Sequence, residues 1–173
     1  MKILLIRHGE TTGDVEDRYG GAYDDHLTEK GHEQLKRTAQ ELAGRQVDTI
    51  FVSSLLRARE SADIINETLQ TCIEVLDGLR ERNYGVLGGL TKADALERYP
   101  EAVALHADPA NTDPEGESQV DFSERVLSTF ASIQKSGYDS VVILSHGGPI
   151  KTIMRHLNMP IPDSIGDGGI VEV

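Results

Sequence analysis

Apolar and polar positions along the chain fall into two alternating rhythms. Ile3 to Ile6 is an unbroken apolar run that leads into a polar, Gly-containing segment, the pattern of a buried strand from Lys2 to Ile6 ending in a functional loop. Thr28, with Gly31 three positions on and Leu35, Ala39, Leu42 and Ala43 at helical spacing, predicts a helix capped at Thr28 and stopped at Gly44. Asp48 to Val52 predicts a second strand, about Leu56 to Leu69 a helix with Ala58, Ala62, Ile65 and Leu69 on one face, and Ile73 to Leu76 a short strand. Residues 84–117 are rich in Gly, Pro, Asp and Asn and predict loops with one short helix near Lys92 to Tyr99. Beyond Ser118, Val126, Phe130 and Ile133 return to helical spacing, Ser140 to Leu144 is a buried strand, and Pro149 to Leu157 a last helix. The expected fold class is therefore α/β, a three-layer α/β/α sandwich around a mostly parallel sheet. A single domain over 1–173 is expected, with 84–117 inserted as the wall of a site.

Composition narrows the function classes. With 38% apolar and 27% charged residues the chain reads as a soluble globular protein, and no apolar run reaches membrane-spanning length. The N-terminal apolar run is too short for a secretory signal, so a cytoplasmic location is expected. A net charge of −12 argues against nucleic acid and anionic membranes as partners, so an anionic substrate must be held by a local cluster of cations. The single cysteine, Cys72, lies in an apolar stretch and is expected in the core. His26, His32, His106 and His156 lack metal-ligand spacing and read as surface or packing residues. No Gly-rich dinucleotide or nucleoside-triphosphate cradle follows a strand.

Chemistry gathers at predicted strand ends, where open α/β sheets bind ligands. Arg7-His8-Gly9-Glu10-Thr11 follows the first strand, Ser53-Ser54-Leu55-Leu56-Arg57 the second, and Ser145-His146-Gly147-Gly148 the last. Two histidines each followed by glycine can converge on one anion that backbone N–H groups approach closely. Arg7 and Arg57 are expected to clamp a phosphoryl group.

Taken together these segments resemble the histidine phosphatase superfamily, also called the phosphoglycerate mutase-like family, over nearly the whole length. The opening block continues through Arg18, Gly21, Asp24, Leu27, Thr28 and Gly31. The resemblance implies that His8 is phosphorylated, that Arg7, Arg57 and His146 hold the phosphoryl group, and that Glu81 is the proton donor. Asp14, Gly20, Gly21, Gly147 and Gly148 fall at substrate-binding positions. Leu79-Arg80-Glu81-Arg82-Asn83-Tyr84-Gly85, with Lys92, resembles the cofactor-dependent mutases and implies substrate contacts for Tyr84 and Lys92. Ser118 in Gly116-Glu117-Ser118 reads foremost as a helix cap.

Neutral imidazole is a competent nucleophile, and neighbouring arginines should keep His8 unprotonated while neutralising the transferred charge. Two arginines and a histidine make a metal unnecessary for that neutralisation, and no cofactor is expected. Three features depart from the family. Asp14 stands where an asparagine is usual, Gly88 replaces a Glu or Gln, and no arginine pair lies between Lys92 and Pro114. A long C-terminal tail beyond Val173 is also missing, which is expected to leave the site open to water. The leading expectation is a phosphomonoesterase acting on a small-molecule phosphate ester. A mutase primed by 2,3-bisphosphoglycerate and a non-catalytic phospho-ligand binding module are the alternatives, and the resemblance leaves room for a homodimer.

Overall fold

A computed structural model describes residues 1–173. β1 (Lys2–Arg7) leads to a four-residue helix, α1 (Thr12–Val15), and then to α2 (Glu29–Leu42), β2 (Thr49–Ser53), α3 (Leu56–Leu69) and β3 (Cys72–Leu76). Two short helices follow, α4 (Lys92–Arg98) and α5 (Pro100–His106), before α6 (Gln119–Gln134), β4 (Ser140–Ser145), α7 (Gly147–His156) and β5 (Ile170–Glu172). The five strands form one sheet in the order β3-β2-β4-β1-β5, parallel except for β5.

Alternation along the strands divides the core in two. Ile3 and Leu5 of β1, Phe51 of β2, and Val141 and Ile143 of β4 point to one face and pack with Phe122, Val126, Phe130 and Ile133 of α6 and with Ile150, Ile153 and Met154 of α7. Leu4, Ile6, Ile50, Val52, Val142 and Leu144 point to the other and pack with Leu35, Ala39 and Leu42 of α2 and with Ala58, Ala62 and Ile65 of α3. The result is the expected α/β/α layering.

Differences from the sequence reading have local causes. Residues 84–117 carry a 3-10 turn at Gly85–Leu87 and two α-helices, the second arising because Pro100 opens α5 at a position where its missing N–H costs nothing. β5 is only three residues long and follows a Gly-rich turn, too little apolar pattern to announce a strand. Cys72 is exposed and does not lie in the core: β3 is an edge strand paired only with β2, so much of it faces solvent. Ser118 caps α6 by accepting the Asp121 N–H. No helix is long and apolar enough to cross a membrane.

Candidate active site

Sheet register brings the site together. Arg7 pairs with Ser145 across β1 and β4, and the His8 N–H donates to the Ser145 carbonyl at 3.1 Å, so the two histidine-bearing turns leave the sheet side by side. Their rings lie 5.0 Å apart, centroid to centroid. β2 borders β4 on its other side, which places Ser53 beside His146.

His8 is 6% exposed. Its Nδ1 lies 2.8 Å from the Gly9 carbonyl, which can only accept, so Nδ1 carries the proton. Nε2 keeps its lone pair and accepts from Arg57 Nε at 3.2 Å. Burial above all, then the Arg57 charge and to a lesser degree Arg7, hold His8 well below the usual histidine pKa, against a smaller opposing pull from the Gly9 hydrogen bond. The imidazole is neutral, with its unprotonated Nε2 facing Arg57.

Arg57 is 3% exposed and enters α3 in its first turn. Its terminal nitrogens donate to the carbonyls of Tyr23 at 2.6 Å and Gly21 at 2.8 Å and to Asp25 Oδ1 at 2.9 Å. The expected two-arginine fork on an anion is therefore only partly available, because the protein already holds much of this guanidinium. Nε, aimed at His8, is the group that can turn to an incoming oxygen. Arg7 donates through one terminal nitrogen to the Ile165 carbonyl at 2.6 Å and pairs with Asp167 at 3.2 Å, while its buried Nε has no acceptor.

His146 is the most enclosed of the set, at 1% exposed. Its Nε2 lies 2.8 Å from Ser53 Oγ, which itself accepts from the Leu55 N–H at 3.3 Å. The Ser53 hydroxyl hydrogen has no acceptor other than Nε2, so it is assigned as the donor, and Nδ1 is then a protonated, buried donor without an acceptor. Burial first, then the Arg57 charge, His8 and Arg7, push this imidazole well below its usual pKa as well. An unpaired buried donor costs about 1–3 kcal/mol. Two of them, Arg7 Nε and His146 Nδ1, flank His8.

Arg7, His8, Thr11, Gly13, Asp14, Arg18, Gly20, Gly21, Asp25, Arg57, Glu81, Tyr84 and Gly147 line a cleft of about 180 Å³. Glu81 is held by the backbone: its carboxylate accepts from the Arg82 N–H and the Gly148 N–H, each at 2.9 Å. A Cβ at position 148 would collide with that carboxylate, which explains glycine there. Gly21 has φ +71°, and its Cβ would strike the Arg82 carbonyl. Tyr84 packs edge-on against His106, and burial followed by the Glu81 charge raises its pKa.

Asp14 belongs to α1. Its Oδ2 accepts from both the N–H and the hydroxyl of Thr11 at 2.9 Å, so a capping box ties one carboxylate oxygen to the start of α1 while the residue lines the cleft. Three of the singled-out residues do not line the cleft: His146 is buried beside His8, Gly148 holds the Glu81 carboxylate from its far side, and Lys92 lies apart. The Lys92 ammonium pairs with Asp17 at 3.3 Å and sits over the Tyr19 ring. Asp25 and Ser53 went unrecognised as partners of Arg57 and His146. Only Ser53 had a legible signal, its place at a strand end beside the strand that carries His146. No group of three or more His, Cys, Asp and Glu side chains is arranged to hold a metal ion.

A family model described as histidine phosphatase superfamily (branch 1) matches residues 3–165. An uncharacterized phosphatase, PhoE, of Bacillus subtilis is 28% identical over 162 residues, 93% of this chain and 79% of that protein. A 2,3-bisphosphoglycerate-dependent phosphoglycerate mutase of Brucella ovis is 32% identical over 174 residues, 94% of this chain and 84% of that one. Among solved structures, a putative alpha-ribazole-5'-P phosphatase from Escherichia coli superposes with a TM-score of 0.89 at 26% identity, covering 99% of this chain and 89% of its own.

Proposed function

Since the chain belongs to the histidine phosphatase superfamily, we propose that it is a phosphomonoesterase that acts on small phosphorylated metabolites through a phosphohistidine at His8. The observation that carries this reading is the unprotonated Nε2 of His8, fixed by the Gly9 carbonyl and flanked by the unpaired donors Arg7 Nε and His146 Nδ1. A site for binding alone has no need of a nucleophile held in its reactive tautomer.

In the first step the Nε2 lone pair attacks phosphorus and the ester P–O bond breaks, with the Glu81 carboxyl giving its proton to the departing oxygen. Arg57 Nε, released from His8, turns with Arg7 Nε and His146 Nδ1 to the phosphoryl oxygens as charge spreads over them. In the second step Glu81 takes a proton from water, the water oxygen attacks phosphorus, the P–N bond breaks, and phosphate leaves with His8 neutral again.

The mutase reading has its own support in the Brucella ovis relative and in the segment Glu81 to Gly85. Hydrolysis is favoured because Lys92, a substrate contact in the mutase reading, is paired with Asp17 away from the cleft, and no arginine pair occupies 92–114. The test measures phosphate release from p-nitrophenyl phosphate and a panel of sugar phosphates by wild type and His8→Ala, with an acid-labile, alkali-stable phosphoprotein trapped during turnover. Release lost in His8→Ala supports the phosphatase. Isomerisation of 3-phosphoglycerate that requires 2,3-bisphosphoglycerate replaces it with the mutase.

A further inference from the structure

Beyond Glu81 lies a second cavity, of about 190 Å³. Glu81 and Tyr84 line both it and the His8 cleft, so the two spaces meet at the carboxyl assigned to protonate the leaving oxygen. Along α7, Gly148, Lys151, Thr152 and Arg155 recur at helical spacing and present one face to this cavity, whereas Gly147 faces the cleft. The facing wall is the segment after α5. Arg82 pins it by donating to the carbonyls of Pro109, at 2.8 Å, and Asn111.

The two walls differ in chemistry. None of the protein's ion pairs engages Lys151 or Arg155. The Lys151 ammonium donates to the Asp163 carbonyl at 2.7 Å, so its charge is not neutralised by a carboxylate. Opposite them Asp113, 3% exposed, gives Oδ2 to His106 at 2.9 Å and leaves Oδ1 buried without a donor. A buried carboxylate oxygen without a donor is unfavourable, and a ligand hydroxyl would satisfy it. Glu81 and Asp108 also line the cavity, but neither pairs with Lys151 or Arg155, so in a chain of net charge −12 two cations without a carboxylate partner face a buried acceptor.

We infer that this cavity receives the leaving group, and that the substrate is a phosphomonoester whose leaving group is hydroxylated and carries an anionic group of its own. Lys151 and Arg155 take that anion, and Asp113 Oδ1 takes a hydroxyl. The inference rests on phosphoryl transfer at His8 for the direction in which the substrate lies.

The test is calorimetric binding to the His8→Ala protein, which leaves the ligands intact, with two matched pairs. Fructose 1,6-bisphosphate against fructose 6-phosphate probes an added phosphate, and 6-phosphogluconate against sorbitol 6-phosphate an added carboxylate. Binding about tenfold tighter for the anion-bearing member of a pair, the scale of one charge-assisted contact, is expected. That ratio should fall to within about twofold in Lys151→Gln/Arg155→Gln, and part-way in Arg155→Gln, whose side chain is exposed. Equal binding within both pairs, a ratio that survives the double substitution, or no binding of any of the four overturns the inference. Wild-type hydrolysis of p-nitrophenyl phosphate is run in parallel. Its absence beside an intact anion preference removes the His8 chemistry and leaves the cavity assignment standing.

Discussion

His8 and His146 leave neighbouring strands in similar sequence contexts, each followed by glycine, and both are buried and neutral, yet their surroundings give them opposite duties. At His8 a backbone carbonyl takes the Nδ1 proton and Arg57 faces Nε2, so the lone pair points to the cleft's cationic edge. At His146 the Ser53 hydroxyl takes up Nε2 and Nδ1 is left as a donor without an acceptor. The same tautomer thus offers a lone pair in one place and a hydrogen-bond donor in the other. What separates them is which nitrogen is covered: Nδ1 of His8 by the next residue's carbonyl, Nε2 of His146 by the end of β2.

The largest effect should come from His8. His8→Ala removes the only nucleophile in the proposed mechanism, and kcat for p-nitrophenyl phosphate is expected to fall by about 10⁴-fold or more. A fall of tenfold or less would mean that water attacks directly and that the two histidines do not differ as argued. The two substitutions at His146 sharpen the contrast. Gln reaches the Nε2 position and keeps the Ser53 contact but lacks the Nδ1 donor, so kcat should drop by about 10²- to 10³-fold, the cost of one donor to developing charge. Asn places an N–H near the Nδ1 position and should retain activity within about tenfold of wild type. At His8 neither amide should rescue anything.

Much of this was legible in the sequence, and the reason is specific. Strand-end histidines and arginines are local features: a buried run followed by Arg7-His8-Gly9 or His146-Gly147-Gly148 announces itself within ten residues. The parallel sheet followed from apolar runs separated by helical spacing. Partners across the sheet were not legible. Ser53 meets His146 only because β2 borders β4, and Asp25 meets Arg57 only because the loop before α2 folds onto α3. Lys92 shows the converse, for a residue placed by motif was drawn off by Asp17, a neighbour that no spacing rule connects to it. The capping box that ties Asp14 to Thr11 was not legible either, because it depends on a one-turn helix too short to show periodicity.

What the two histidines share can be tested through stability. Both have folded-state pKa values well below the unfolded value of about 6.5. Below that pH the unfolded chain binds two protons that the folded protein refuses, so stability is full above about pH 6.5 and is lost as pH falls. The expected slope approaches about 3 kcal/mol per pH unit for the pair, read from urea midpoints between pH 7 and pH 5. His146→Gln should roughly halve it, since it removes one of the two groups that the folded protein keeps unprotonated. A flat profile across that range would mean that the rings are protonated in the folded protein and that neither has the role given to it.

The smallest effect falls on Ser53, and it bears most directly on how the two rings are told apart. Ser53→Ala removes the hydroxyl that donates to His146 Nε2 and leaves His8 with all of its own contacts. The freed nitrogen then competes for the proton, the Nδ1 donor is present for only part of the time, and kcat should fall by about tenfold with KM little changed. Nitrogen NMR shifts give the direct reading. In the wild type both imidazoles should show an unprotonated Nε2, and in Ser53→Ala only His146 should move toward the other tautomer. If His146 already carries its proton on Nε2 in the wild type, the serine is accepting, the buried donor assigned to Nδ1 does not exist, and His146 serves to pack the nucleophile in place.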